Sequence, residues 1–217
     1  MEDVLDVYAR PYDPACPVVC LDEKSKELRG EIREALPVAP GKPRREDSEY
    51  VRNGTANLFL WLEPLTGRRG VRVTQRRTAL DFAQELRSLS EEHYRDAERI
   101  VLVVDNLNTH GPQSLYEAFE AREAHRLARR FEWHYTPEHG SWLNVAECEL
   151  SVLERQCLDR RIADKETLAQ EVAAWERSRN AGARGGRWQF TTADARIHLR
   201  RLYPQFQAVQ QIHNTST

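Results

Sequence analysis

No apolar run in this chain is long enough to cross a bilayer. The longest aliphatic stretch, Ile100–Val104, has five residues, against the roughly 20 a membrane helix needs. The first residues, Met1-Glu2-Asp3, carry no basic, apolar leader. Cysteine is scarce: Cys16, Cys20, Cys148 and Cys157 form no CxxC pair and have no histidines at zinc-finger spacing. That excludes a disulfide framework and a structural zinc site and leaves reduced thiols. Lysine is scarcer in proportion, 4 of 32 basic residues, the other 28 being arginine. A GC-rich genome gives such a skew, and arginine also suits phosphate recognition. Charge of one sign is missing too, with 34 acidic residues giving a net −2. The chain is therefore no bulk polycation, and any nucleic-acid role rests on local patches. What remains is a cytoplasmic protein with no membrane partner. Its 217 residues, 40% of them apolar, are enough for one domain or two small ones.

Six of the ten prolines fall in the first 43 residues, so the amino-terminal segment reads as turn-rich and extended rather than helical. One short strand, Val18–Leu21, interrupts it, and Gly41–Thr55 reads as a polar loop. Ala56–Glu63 and Gly70–Thr74 form a hairpin pattern around Pro64–Gly67. Ala79–Tyr94 has a helical stripe of Leu80, Ala83, Leu86 and Leu89, and Arg99–Val104 reads as a strand buried on both faces. Ser114–Arg130 is a charged helix, Phe131–Tyr135 a short strand, and Asn144–Cys157 and Lys165–Arg179 are helices; Gly182–Gly186 reads as a flexible joint. This order predicts an α/β domain with a mixed sheet flanked by helices.

Two segments share one design. VVCLD ends at Asp22 and VLVVD at Asp105, each placing a carboxylate after four apolar residues. If the strands are parallel neighbours, both acids emerge at one sheet edge, where open α/β sheets bind ligands. Carboxylates that close repel unless a cation lies between them, and hard oxygen donors point to Mg²⁺ or Mn²⁺. A turn or cap role for either Asp is the competing reading. The third feature, His139-Gly-Ser-Trp-Leu-Asn-Val-Ala-Glu147, runs from a loop into a helix. Asn144 as N-cap and Glu147 three residues on also read as a capping box. At 100° per residue, Glu147 shares a face with Ser151 and Glu154, and Glu149 points the other way.

VVCLDEKS, IVLVVDNLNTH and HYTPEHGSWLNVAECEL, in this order, resemble the three acidic motifs of the DDE transposases, in the bacterial insertion-sequence branch of the mariner-like group. The resemblance runs on through YVRNGTANLFLWLEP to WQFTTADARIHLRRLYP and so covers nearly the whole chain. It implies an RNase H-like domain with a mixed five-stranded sheet, in which Asp22, Asp105 and Glu147 hold two Mg²⁺ or Mn²⁺ ions for strand cleavage and strand transfer. The implied partners are double-stranded DNA, as element ends and target, and a second copy in a synaptic homodimer. His110 then contacts phosphate or orients a carboxylate, and Trp142 packs its loop or stacks on a base.

Two departures matter. Forty-one residues separate Asp105 from Glu147, a longer gap than the family's best-known members have, which Glu117–Arg130 accounts for as an enlarged helix. Relatives carry helix-turn-helix regions before the first acid, whereas about twenty residues precede Asp22. The expected layout is residues 1–17 as a linker, 18–180 as the catalytic domain and 181–217 as a tail packing on it. The alternatives are an inactive remnant and a general RNase H-like nuclease. Candidate DNA contacts are Arg44 and Arg45 beside Lys42, Arg76 and Arg77 beside Arg68, Arg69 and Arg72, Arg184 and Arg187, and His110, Trp142 and Asn144 around the acids.

Overall fold

The computed structural model describes residues 1–32, 41, 49–138, 140–183 and 185–203. Five strands form one sheet in the order β3-β2-β1-β4-β5. They are β1 (Val18–Glu31), β2 (Tyr50–Leu62), β3 (Arg69–Thr74), β4 (Ile100–Val104) and β5 (Phe131–Tyr135). β1 lies at the centre, antiparallel to β2 and parallel to β4, and β4–β5 is parallel too, so the sheet is mixed as expected. Both faces are covered, which is why the strands read as unbroken apolar runs. Val18 and Cys20, Leu58 and Leu60, and Val101 and Val103 face α1 (Glu2–Tyr8), α5 (Val145–Leu153) and α6 (Lys165–Ala181). Val19 and Leu21, Phe59 and Trp61, and Ile100 and Leu102 face α2 (Ala79–Ser88), α3 (Gln113–Ala118) and α4 (Ala121–Ala128).

Several expectations are corrected. The opening segment is not extended throughout: α1 buries Val4, Leu5, Val7 and Tyr8, an amphipathic turn that ends before Pro11. β1 runs on to Glu31 and pairs with Tyr50–Thr55, so the second half of the expected polar loop is strand. That arm is solvent-exposed over Val51–Thr55 and is held by ladder bonds and by Arg29 over the Tyr50 ring rather than by burial. In α2 the buried side is Phe82, Ala83 and Leu86, while Leu80 is 51% exposed. The charged helix is two, α3 and α4, broken where Phe119 turns extended. Gly182–Gly186 is no free joint, because the Gly186 N–H donates to Pro64 O and a Cβ on Gly185 would sit 1.4 Å from Leu65 O. A seventh helix, α7 (Thr192–His198), packs on α1. Among the described residues, no helix is long and apolar enough to cross a membrane.

Candidate active site

The β1–β4 register pairs Cys20 with Val103. Asp22 lies two residues past Cys20 within β1, and Asp105 directly follows Val104, the last residue of β4, so the parallel pairing brings both acids to the same end of the sheet. Asp22 follows the alternation of Val18 and Cys20 onto the face that α5 covers. Asp22 is buried, and its Oδ1 accepts the Glu23 N–H at 2.8 Å. Burial pushes its carboxyl up to about 7; the Glu23 N–H opposes the rise, and the charges of Asp105, Glu23 and Glu147 add to it. Glu147, in the first turn of α5, is among the charges that raise the Asp22 carboxyl.

Asn144 caps α5 through Ala146 N at 3.2 Å. No return bond from the Glu147 side chain completes a capping box, as one does at Thr78/Asp81 and Thr191/Asp194. The Glu147 carboxylate is therefore not consumed by helix capping. The far end of α5 is tied to β1 beyond Asp22, by Lys24 to Glu154 at 3.1 Å and by the Lys26 ammonium donating to Leu158 O.

His110 is 2% exposed and sandwiched between two carboxylates, with Nδ1 on Asp105 and Nε2 2.8 Å from Glu23 Oε2. Its ring stacks on Phe82 with centroids 4.6 Å apart. Burial alone would lower its proton affinity, but the bonds to Asp105 and Glu23 win and push it up to about 9, which keeps the ring an imidazolium. His110 thus orients a carboxylate and has no surface left for a phosphate, correcting the expected DNA contact. Asn144 is corrected likewise: it is 0% exposed, and its amide donates to Leu21 O at 3.0 Å.

Of the expected basic contacts, Arg76 and Arg77 are exposed near the site, Arg77 3.7 Å from Glu23. Arg69 is buried against Glu149, Arg72 pairs with buried Glu85, and Arg68 lies over Trp61 and Tyr94. Of these three only Arg69 is buried; Arg68 is exposed and the Arg72 side chain is 41% exposed. Arg187 is exposed beside Trp188; Arg44, Arg45, Lys42 and Arg184 lie outside the described residues. Trp142 is 42% exposed and meets Phe190 edge-on at 6.0 Å. Sequence reasoning missed Glu23, which is one more polar residue along a strand, and Tyr8, which sits 14 residues before the first acid.

Among the described residues, no three His, Cys, Asp or Glu side chains are arranged to enclose one metal ion. The fit to a divalent cation is one of donor chemistry, hard carboxylate oxygens.

A family model described as DDE superfamily endonuclease matches residues 17–169, more than two thirds of the chain. Three crystal structures of Mos1 share the fold. The mariner paired end complex with Mn is 19% identical with a TM-score of 0.51, covering 81% of this chain and 52% of that one. The strand transfer complex is 17% identical with a TM-score of 0.50, covering 81% and 51%. The paired end complex with Mg is 19% identical with a TM-score of 0.50, covering 81% and 52%. The chain spans about half the length of these proteins. No curated protein matches the sequence.

Proposed function

The chain belongs to the DDE superfamily of endonucleases, and from that premise we propose that it is a transposase catalytic domain that cuts and joins DNA strands by metal-dependent phosphoryl transfer. The observation that carries this reading is the buried Asp22, which feels the charges of both Asp105, just past the end of the neighbouring parallel strand, and Glu147. Asp22, Asp105 and Glu147 would hold two Mg²⁺ or Mn²⁺ ions. Bound there, the ions would activate the attacking water or 3′-hydroxyl and stabilise the leaving oxygen. Burial and the like charges around Asp22 both disfavour its bare carboxylate, and a divalent cation bound there would offset that cost. His110, fixed by Glu23, holds the Asp105 carboxylate in one orientation. The protein's contribution is positioning and charge placement rather than covalent catalysis.

The Mos1 complexes are described with paired ends, strand transfer, Mn and Mg. In line with them we assign this chain double-stranded DNA as substrate and a synaptic homodimer as working unit. Arg76, Arg77 and Trp142 are the exposed candidates to contact DNA beside the acids, with Arg44 and Arg45 on the segment between β1 and β2. An insertion-sequence origin, cytoplasmic residence with nucleoid association on DNA, and a catalytic unit over 18–180 flanked by 1–17 and 181–217 complete the reading.

The test is nicking of supercoiled plasmid, and cleavage of element-end duplex, plain duplex and RNA–DNA hybrid, with Mg²⁺, Mn²⁺ or EDTA. Asp22→Asn, Asp105→Asn and Glu147→Gln should each lower the metal-dependent rate by at least about 100-fold. Cleavage confined to the hybrid would make the chain a general RNase H-like nuclease. Activity that survives all three changes would refute the assignment.

A further inference from the structure

Glu147 is the acid whose place depends most on packing, since Asp22 and Asp105 are set by adjacent strands and Glu147 by how a helix docks on them. The start of that helix is held by two buried side chains. Asn144 does two jobs with one amide: its Oδ1 accepts from Ala146 N at 3.2 Å, and its Nδ2 donates to Leu21 O at 3.0 Å. Leu21 immediately precedes Asp22, just past the last β1–β4 pair, Cys20–Val103. Tyr8 brackets the same point from the other side: its hydroxyl donates to Leu143 O at 2.7 Å and accepts the Val145 N–H at 3.4 Å, with Cys20 Sγ also 3.4 Å from it.

Tyr8 comes from α1, outside the residues the family model matches. That helix is clasped to the other end of the chain: Arg196 binds both Glu2 oxygens at 2.8 and 2.7 Å, Thr192 donates to Asp6 at 2.7 Å, and the Tyr8 ring lies 5.5 Å from Trp188. The bonds of both side chains converge on residues 143–146 and on the carbonyl beside the first acid.

We propose that Tyr8 and Asn144 are positioning residues that lock the first turn of α5, and with it the Glu147 carboxylate, against the strand end carrying Asp22. This rests on the assignment of Glu147 as a metal ligand. Tyr8→Phe removes one hydroxyl and keeps the ring. Asn144→Ser keeps a good N-cap and removes the donor that reaches Leu21 O. A third variant, Val4→Ala, weakens the burial of α1 while leaving these bonds in place.

Mn²⁺ binding to the full chain, read from the electron paramagnetic resonance of the free ion well below the thermal midpoint, needs no DNA and no turnover. Tyr8→Phe and Asn144→Ser should each weaken Mn²⁺ binding about 10-fold, the scale on which outer-sphere partners act, and raise the Mg²⁺ concentration for half-maximal nicking in parallel. Val4→Ala should lower the thermal midpoint and leave Mn²⁺ binding unchanged. Wild-type Mn²⁺ affinity in both positioning variants, with Glu147→Gln binding weakly, would overturn the proposal and leave the function standing. If Glu147→Gln binds Mn²⁺ like wild type, the assignment of Glu147 fails, and the proposal with it.

Discussion

Replacing Glu149 by Gln separates the two faces of α5. Glu149 is buried beside Arg69, which is buried as well, and Arg179 grips the same carboxylate at 3.1 and 3.2 Å. Arg69 also donates to Gly67 O, and its backbone is bracketed by Asn180, so its guanidinium cannot swing out to water. Arg179 is partly exposed and can. The substitution therefore strands one buried cation. Breaking a buried pair by removing one partner costs about 3–5 kcal/mol, and the retained amide oxygen and the freedom of Arg179 put this site at the lower end, about 3 kcal/mol. For a domain of this size each kcal/mol moves the thermal midpoint by about 2–4 °C, so Glu149→Gln should melt about 6–12 °C below wild type. Glu147→Gln, two residues away on the half-buried face, should leave the midpoint within about 2 °C while stopping cleavage. Calorimetry with a urea titration on both variants measures this. Equal midpoints for the two, or a larger loss in Glu147→Gln, would refute the division of α5 into a structural and a catalytic face.

Two further predictions concern stability alone. Burial pushes the Glu85 carboxyl up to about 7; the Arg72 charge opposes the rise and the Glu92 and Glu176 charges assist it. Because the folded state holds this proton more tightly than the unfolded chain, its ionisation penalty is fully present above pH 7 and is lost as pH falls below about 4.5. Glu85→Gln should thus stabilise at pH 8 by up to about 3 kcal/mol and by nothing near pH 4, read as the pH dependence of the urea midpoint; a gain independent of pH would contradict it. Gly185→Ala forces a methyl into Leu65 O, so residues 183–188 must lift from the β2–β3 turn. Limited proteolysis should then cut near residue 185 at least several-fold faster, and an unchanged digestion rate would show that the contact does not hold the segment.

The strands were readable because burial on both faces leaves no polar positions to blur the pattern: Val101, Leu102 and Val103 are all buried, as the run IVLVVD suggests. The same logic singles out Asp22 and Asp105, each directly after a run of four apolar residues. What stayed hidden depends on partners distant in sequence. Tyr50–Thr55 is polar and exposed, and becomes strand because β1 overshoots the sheet and offers a ladder to pair with. The helix of Glu2–Tyr8 has only seven residues and is stabilised by what it docks on, which no local window contains. Asn144 reads correctly as a cap, yet its second bond, to a carbonyl 123 positions earlier, is invisible to any local window.

Net charge was the least legible quantity, for a physical reason. A basic cluster counts toward DNA affinity only if its cations face solvent, and the pentad around β3 divides: Arg69 is buried against Glu149 and Arg72 pairs with buried Glu85, while Arg68, Arg76 and Arg77 are exposed. The acids divide too, since Glu149 is buried against Arg69 and Glu85 beside Arg72, while in the proposed function Asp22, Asp105 and Glu147 hold negative charge for a metal ion. The overall −2 is then a sum over groups that never meet the same ligand. Salt dependence of DNA binding should accordingly track the few exposed arginines beside the acids, with Arg77→Ala reducing the slope by about one counterion and Arg69→Ala acting through stability instead.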